Sequence, residues 1–263
     1  MSPVTKIVLG LAIPGIVLIA FLMIPPHPSP DPPSRSTAQS TRLEIPEEDY
    51  ANGLKRRAAV FSKVVPGLKK TFVQRELNWG SPIFLRAFKE EGILEIWVRQ
   101  GDQFVLFREY PILAGSGKIG PKLAEGDLQV PEGFYEFGKS QMNPQSQFHL
   151  SFNIGYPNAF DRAHGRTGSF IMVHGSNVSV GCLPIGDDKV EEVFTLAHHA
   201  FEAGQRRCQI HLFPFRLTPE KLDRHRESPW ASFWENLREG YQWFESRKIP
   251  PEVVIREKRY CFE

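Results

Sequence analysis

The sequence predicts an α+β fold, mainly β with a few helices, in a domain that is exported behind an N-terminal membrane anchor. Three observations indicate this: a long uncharged run near the N-terminus, a Pro/Ser-rich stretch after it, and short β-branched and aromatic runs beyond residue 82. Of the 263 residues, 41% are hydrophobic and 24% are charged, which is typical of a globular protein. The formal net charge of +2 gives no electrostatic argument for binding nucleic acid.

Residues 7–24 form the predicted anchor. They contain no charged side chain, and a helix of this length spans about 27 Å, close to the hydrocarbon thickness of a bilayer. Lys6 precedes the run, as is usual on the cytoplasmic side. The run ends in FLMIPPHPSPDPP, which lacks the small residues of a cleavage site. We therefore favour an uncleaved single-pass anchor over a cleaved signal peptide.

A tether is predicted after the anchor. Residues 25–40 are rich in Pro and Ser and lack the apolar side chains that a core needs, so they should form a semi-extended linker. A helix is expected between Glu47 and Lys70, where apolar residues recur at imperfect helical spacing.

Short runs with β-strand character begin at Pro82, separated by breaks such as KEEG and RQGDQ that are typical of hairpins. The predicted strands are IFLRAF (83–88), ILEIWV (93–98), FVLFREYPIL (104–113), EGFYEF (132–137), FHLSFNIG (148–155), SFIMVHG (169–175) and CQIHLFPF (208–215).

One clear helix is predicted from Asp188, which forms a capping-box pattern with Glu191, to Gly204, which ends it. Its apolar residues at helical spacing are Val190, Val193, Phe194, Ala197 and Phe201. Two short amphipathic helices are predicted within residues 218–247. We therefore divide the chain into the anchor (1–24), the tether with its helix (25–78), a β-rich domain (79–216) and a helical extension (217–263).

The cysteine count is odd, which limits disulfide formation. Cys182, Cys208 and Cys261 leave at least one thiol unpaired unless it bonds to another chain. Cys208 and Cys261 could pair, and an idle thiol is disfavoured in an oxidising compartment. We therefore expect Cys182 to be the free thiol, with a function.

The segment GSGKIG, residues 115–120, has the G-x-G-x-x-G spacing of a dinucleotide-binding loop. That motif requires a helix to begin at its end, so that the pyrophosphate meets the helix N-terminus. Pro121 and the turn-rich KLAEGDLQVPEG follow instead. We interpret the segment as a glycine-rich loop that borders a groove, and we expect no cofactor.

His174 and Cys182 flank a polar loop and are candidates for a base and a nucleophile. A cysteine attacks as its thiolate and needs a base or a positive charge nearby. Gly175 and its polar neighbours allow a tight reversal, and Gly181 lets a substrate carbonyl approach backbone N–H groups that could form an oxyanion hole. On residue types alone, a buried thiol and a core histidine are the favoured explanation. The polar loop and the expected export favour catalysis.

The motif VHGSNVSVGC, residues 173–182, resembles the signature of L,D-transpeptidase catalytic domains of the YkuD type, in which a His-Gly pair precedes Ser-x-Gly-Cys. The upstream GSGKIGPKLAEGDLQVPEGFYEF resembles that family's glycine-rich lead-in, and NIGYPNAFDRAHG is similar to its YafK-like branch. The resemblance covers residues 82–216. Val180 stands where many members carry histidine or arginine, so His174 is the motif histidine left to act as a base.

The resemblance implies a β-sandwich or barrel-like catalytic domain in the bacterial periplasm that acts on peptidoglycan stem peptides. Cys182 would attack the carbonyl of meso-diaminopimelate while His174 takes the proton, and an acyl-enzyme would form. The acceptor stays open among water, a diaminopimelate amine and a lysine amine of a wall-attached protein such as a lipoprotein.

Further site residues are implied by the same resemblance. Ser179 is expected to hydrogen-bond the loop or the oxyanion region. Arg162 suits a substrate carboxylate through its bidentate geometry, with an ion pair to Asp161 as the alternative. His164 and Tyr156 are candidates for substrate contact, with roles in the local structure as the alternative.

Two other functions stay open. A metal site could use His164, His174 and Cys182, but their spacings of ten and eight lack the paired pattern of structural zinc sites and a fourth ligand.

A non-catalytic, membrane-tethered module that binds peptidoglycan is the second alternative function. Its aromatic contacts would be Trp230, Trp234, Tyr241 and Trp243. We prefer packing of amphipathic helices on the catalytic domain as the explanation of those residues.

Overall fold

The computed structural model describes residues 47–263, and its longer strands coincide with the runs that the sequence predicts. The strands are β1 (Ile83–Phe88), β2 (Ile93–Gln100), β3 (Gln103–Pro111), β4 (Gly133–Phe137), β5 (Met142–Asn143), β6 (Ser151–Asn153), β7 (Met172–His174), β8 (Leu183–Pro184), β9 (Cys208–Phe213), β10 (Val253–Arg256) and β11 (Arg259–Phe262). Strands β5 and β8 and the β10–β11 hairpin were not predicted from the sequence.

Helices complete a mixed α+β fold, as predicted. Within residues 47–263 they are α1 (Glu47–Gln74), α2 (Ala159–Ala163), α3 (Asp187–Glu202), α4 (Pro219–Arg224) and α5 (Ala231–Arg247), with a 3₁₀ turn at Lys139–Gln141. The two helices expected within residues 218–247 are α4 and α5. The short α2 was not predicted, because five residues are too few for a helical pattern to show.

The predicted anchor (7–24) and the Pro/Ser-rich tether (25–40) lie outside the described residues. Among residues 47–263, no helix is both long and apolar enough to cross a bilayer.

The largest sheet has five strands in the order β3-β2-β1-β9-β4. Its first three strands pair antiparallel in chain order, as the hairpin-like breaks predict, whereas β9 joins β1 in parallel and β4 pairs with β9 at the edge. A second sheet has the order β5-β6-β7-β8. Its last pair, β7 and β8, is parallel and positions the residues of the predicted motif.

One apolar core is shared by both sheets, α1 and α3. Phe72 of α1 and Val193 of α3 pack with Leu85 and Ile210 of the large sheet and with Val173 of the second. Removal of these side chains from water is the main force that holds the layers together. Because α1 contributes to this core, it packs on the domain that carries the motif.

A second, aromatic core joins the C-terminal helices to the large sheet. Trp234 and Tyr241 of α5 are buried in it beside Phe88 and Phe213 of β1 and β9. Two of the four aromatic residues considered as peptidoglycan contacts are therefore core residues, and packing explains them.

The predicted helical extension is helical only as far as α5 and then forms the β10–β11 hairpin. The hairpin turn consists of Glu257 and Lys258, with φ of 48° and 59°. Positive φ at both positions is what a type I′ turn requires, but the usual Asn-Gly signature is missing from the sequence. The prediction failed here because the turn uses unfavoured residues.

A buried ion cluster lies between the large sheet and α5. Arg86 and Glu95 are each only 1% exposed. The guanidinium of Arg86 contacts the Glu95 carboxylate at 2.7 Å and that of Glu245 at 2.6 Å. Glu95 also accepts hydrogen bonds from Trp97 at 2.8 Å and pairs with Arg216 at 2.8 Å. Removing Glu95 would leave the buried Arg86 with Glu245, which is partly exposed, as its remaining carboxylate partner.

We expect Glu95→Ala to lower the free energy of unfolding by about 3–5 kcal/mol, because Arg86 loses its main partner inside the protein. Urea unfolding followed by tryptophan fluorescence measures this. As a matched control, Glu235→Ala removes an exposed ion pair with Arg238 and should change the free energy by less than about 0.5 kcal/mol. Equal effects of the two substitutions would mean that Glu245 alone compensates the charge of Arg86.

Candidate active site

Parallel pairing of β7 and β8 brings Cys182 next to the strand that carries His174. His174 pairs with Pro184, so Cys182, two residues earlier, lies beside Met172. The Met172 N–H donates to the Cys182 Sγ at 3.4 Å, which turns the sulfur toward β7. The thiol and the imidazole therefore belong to neighbouring segments, offset by two residues or about 7 Å along the strand.

The His174 imidazole is held in one tautomer by the backbone. The residue is 2% exposed, and its Nδ1 lies 2.6 Å from the Gly175 carbonyl. A carbonyl only accepts, so Nδ1 carries the proton and Nε2 carries the lone pair. Burial lowers the pKa of His174, and the hydrogen bond to Gly175 opposes that shift. His174 is therefore a neutral imidazole with a basic Nε2.

Cys182 is a protonated thiol in this structure. Burial raises its pKa above the usual 9.0, while the Met172 N–H and the positive charge of Lys122 oppose the shift. The Sγ lies 3.7 Å from the Phe170 carbonyl, which accepts its proton. Lys122 was not predicted from the sequence; it pairs with Asp127 at 2.6 Å and acts on the sulfur only through its charge.

The two N–H groups predicted as an oxyanion hole both donate to serine hydroxyls. The Gly181 N–H donates to Ser116 Oγ at 2.5 Å, and the Cys182 N–H donates to Ser179 Oγ at 3.1 Å. Ser179 Oγ donates in turn to the Cys182 carbonyl at 2.7 Å, as expected for a residue that holds the loop. A substrate carbonyl would have to replace these hydroxyls. Ser116 belongs to the glycine-rich segment, which therefore contacts the site as an adjoining loop.

The start of α3 differs from the prediction and supports the motif loop. Asp188 and Glu191 do not form a capping box; the N-cap is Gly186, without a side-chain cap. The carboxylate of Asp187 instead accepts the Ser176 N–H at 2.7 Å. This bond crosses from the helix to the loop, so the acidic residue serves the motif rather than the helix end.

Helix α1 braces a loop that covers the histidine. Arg56 of α1 donates to the His149 carbonyl at 2.6 Å, and His149 Nε2 lies 2.9 Å from the Glu191 carboxylate. The neighbouring Phe148 packs its ring on the His174 imidazole, with 4.7 Å between centroids. None of these contacts was predicted, because each joins residues far apart in the sequence.

Arg162 lies away from the cysteine and histidine. Its guanidinium donates to the Pro157 carbonyl, and it lines a cavity of about 830 Å³ between β4, α2 and the C-terminal hairpin. Neither Cys182 nor His174 lines this cavity. The expected partner Asp161 pairs with Arg166 instead, at 2.9 Å.

His164 and Tyr156 have local partners. His164 Nε2 lies 2.9 Å from the Lys258 carbonyl in the C-terminal turn. Tyr156 is buried, and its hydroxyl donates to the carbonyls of Lys122 and Thr167. The structure therefore brings together Cys182 and the motif loop, but not Arg162 or His164.

All three cysteines are free thiols within residues 47–263, so Cys208 and Cys261 do not pair in this structure. Cys208 is fully buried in the sheet, where its thiol contacts the Ile83 carbonyl. In the same part of the chain, no group of three or more His, Cys, Asp and Glu side chains is placed to hold a metal ion.

Sequence comparison finds a close relative that covers most of the chain. No protein-family model matches the chain. The Escherichia coli K12 protein named "Putative L,D-transpeptidase YafK" is 41% identical over 181 residues, which are 69% of this chain and 74% of that protein. YafK of Escherichia coli O157:H7 matches to the same extent.

Two solved structures show a weaker likeness. The helical cell shape determining protein Pgp2 of Campylobacter jejuni is 19% identical, with a TM-score of 0.42 over 67% of this chain and 73% of that one. Bd1075 of Bdellovibrio bacteriovorus is 24% identical, with a TM-score of 0.37 over 62% of each chain.

We expect iodoacetamide to alkylate Cys182 at a rate that keeps rising from about pH 7 to beyond about pH 9, because only the thiolate reacts and burial holds its pKa above 9.0. Timed labelling with peptide mass spectrometry follows each cysteine separately. Cys208, which is fully buried, should stay unlabelled while the protein is folded and serves as the control. A rate that levels off below about pH 7 would show a preformed thiolate and contradict this assignment.

Proposed function

Since the chain belongs to the L,D-transpeptidase family, as its 41% identity to YafK shows, we propose that it is a cysteine-dependent enzyme that edits peptidoglycan. The donor is a stem peptide, which is cleaved at the carbonyl of meso-diaminopimelate. The observation that carries this proposal is the β7–β8 pairing, which sets the Cys182 thiol beside the strand of a neutral His174.

The first step forms a thioester. The Cys182 Sγ attacks the diaminopimelate carbonyl while Nε2 of His174 takes the thiol proton, and a tetrahedral oxyanion results. When the peptide bond breaks, His174 returns that proton to the departing amine. The Gly175 carbonyl holds the other ring nitrogen, so an acidic third residue is not required for this role.

The oxyanion needs hydrogen-bond donors that become available only when the substrate is bound. The Gly181 and Cys182 N–H groups, at the attacking residue and the one before it, are the candidates. In the resting structure they donate to Ser116 and Ser179. The substrate oxygen replaces these hydroxyls, and two backbone donors of this kind stabilise the transition state more strongly than the ground state.

The second step passes the acyl group to an acceptor. Water gives a hydrolase that trims a stem peptide or releases a wall-attached protein, such as a lipoprotein. A diaminopimelate amine gives a cross-link, and a lysine amine attaches a protein. In each case His174 removes a proton from the acceptor and returns it to the departing Cys182 sulfur.

Other features of the proposal rest on the sequence. A single-pass anchor at residues 7–24 would hold the domain on the periplasmic face of the inner membrane, close to the peptidoglycan. Contacts of Arg162, His164 and Tyr156 with the stem peptide stay predictions, and their observed positions favour structural roles. A non-catalytic peptidoglycan-binding module is the alternative function.

We expect Cys182→Ala to abolish product formation from defined muropeptides, because the proposed thioester forms on its sulfur. The full-length protein is incubated with donor alone or with an added amine, and mass spectrometry identifies hydrolysis and transfer products. Cys261→Ala removes another partly exposed free thiol and should leave the rate unchanged. Turnover that persists in Cys182→Ala would refute the nucleophile and favour the binding module.

We expect His174→Ala to lower kcat by about 10²–10⁴-fold, the usual contribution of a general base. In the wild-type protein, activity should stay constant as the pH falls to about 6.5 and should decrease only at lower pH. Burial lowers the pKa of His174, so the unprotonated base persists below the usual pKa of a histidine. Rate measurements between about pH 4 and pH 9 test both statements. His225→Ala, which removes a histidine packed on Phe215, is the control. A His174→Ala protein with normal kcat would contradict the proposed base.

A further inference from the structure

Exposed apolar side chains gather around the candidate thiol. Of the ten large apolar residues that are exposed in the described part of the chain, six lie on the motif loop or on segments that contact this loop, β7 or β8. They are Leu113, Leu128, Phe148, Phe170, Val178 and Val180. A concentration of exposed apolar surface at one place marks a site of contact with a ligand or partner.

Phe170 is the most unusual member of this group. Its side chain is 71% exposed, although burial of a phenyl ring is normally favourable. Its φ is +52°, a left-handed conformation that residues with a Cβ rarely adopt, least of all bulky ones. Its carbonyl faces the Cys182 Sγ at 3.7 Å. The fold thus holds a strained residue beside the thiol and presents its ring to solvent, as is typical of functional positions.

Phe148 lies at the other candidate catalytic residue. It is 43% exposed, and one part of its ring packs on the His174 imidazole at 4.7 Å. The next residue, His149, has a φ of +69°, and Arg56 of α1 binds its carbonyl at 2.6 Å. A second aromatic ring is therefore held in a fixed and partly exposed position, here by contacts from a distant helix.

We propose that Phe170 and Phe148 are the walls of the subsite for the side chain of the acylated residue, and that they select a linear aliphatic side chain. This inference rests on the proposed function, since it takes Cys182 as the attacking group. The reacting carbonyl must approach the sulfur to about 3–3.5 Å. Phe170 contacts this sulfur through its carbonyl and Phe148 contacts the proposed base, so a side chain on the adjacent Cα comes close to both residues.

The chemistry of the two rings defines what this subsite recognises. Phenyl rings offer apolar surface and no hydrogen-bond partner, so they recognise methylene groups rather than a terminal amine or carboxylate. Methylenes of a diamino acid would leave water when they pack on these rings, which favours binding. Alanine in the same position offers a single methyl group and would gain little.

The test uses three donor tetrapeptides that differ only at the third residue: diaminopimelate, lysine or alanine. Dissociation constants are measured in the Cys182→Ala background by calorimetry, and kcat/KM is measured in the otherwise wild-type protein. Phe170→Asn removes the ring but tolerates positive φ, and Phe170→Leu keeps an apolar side chain. Ile249→Asn, an exposed apolar residue after α5, is the matched control.

We expect Phe170→Asn to weaken binding of the diaminopimelate and lysine donors about tenfold and to change the alanine donor less than about twofold. Phe170→Leu should restore at least part of the selectivity, and Ile249→Asn should match the parent. The melting temperature of Phe170→Asn should not fall, because asparagine tolerates the left-handed backbone. A purely structural role for Phe170 would lower the melting temperature and affect all three donors equally.

The two proposals fail in distinguishable ways. If the wild-type protein forms no thioester but the binding selectivity depends on Phe170, the proposed chemistry is wrong and Phe170 recognises the third residue without acylation. If Phe170→Asn leaves the ranking of the three donors unchanged, or weakens all three alike, the subsite is refuted whether or not Cys182 is the nucleophile.

Discussion

The parallel pairing of β7 with β8 sets the geometry of the site, because only the eight residues 175–182 connect two strands that run in the same direction. Parallel neighbours normally need a dozen residues or more, since the chain must return to the start of the next strand. Here a tight loop makes the return, with positive φ at Ser176 and Gly181. The Asp187 carboxylate takes one N–H of this loop and the Ser116 hydroxyl another. These contacts keep Cys182 beside β7.

Burial gives the site an uncharged resting state. It lowers the pKa of His174 and raises that of Cys182, so proton transfer from thiol to imidazole is unfavourable before a substrate is bound. A protonated thiol is a weak nucleophile. It also reacts slowly with oxidants, because the rate of cysteine oxidation rises with the fraction of thiolate. That property suits an unpaired cysteine outside the cytoplasm, where we propose the domain to lie. Transfer of the Cys182 proton to His174 then depends on interactions that form when the substrate binds.

Local patterns in the sequence predicted the elements that form locally. The predicted strand 83–88 coincides with β1, and the helix expected after residue 187 is α3, because alternation and helical spacing lie within each segment. The motif of His174 and Cys182 was visible for the same reason. Its supports were not: Ser116 lies 65 residues before Gly181, and Arg56 lies 93 residues before His149. Strand β8 has two residues, too few for any pattern.

The strained backbone at the site and the N–H groups that are already hydrogen-bonded both bear on what substrate binding must supply before the chemical step. Four of the eight non-glycine residues with positive φ within residues 47–263 lie in the motif or on segments close to it: Leu128, His149, Phe170 and Ser176. The N–H groups that would bind the oxyanion are already bonded to serine hydroxyls, so a substrate must first displace those bonds. Binding energy from a part of the substrate that does not react can offset this cost. An aliphatic side chain between two aromatic rings is suited to that role. A donor peptide without that aliphatic side chain would then bind more weakly and also react more slowly in the chemical step. The reason is that the Gly181 and Cys182 N–H groups would be freed from their serine partners less often.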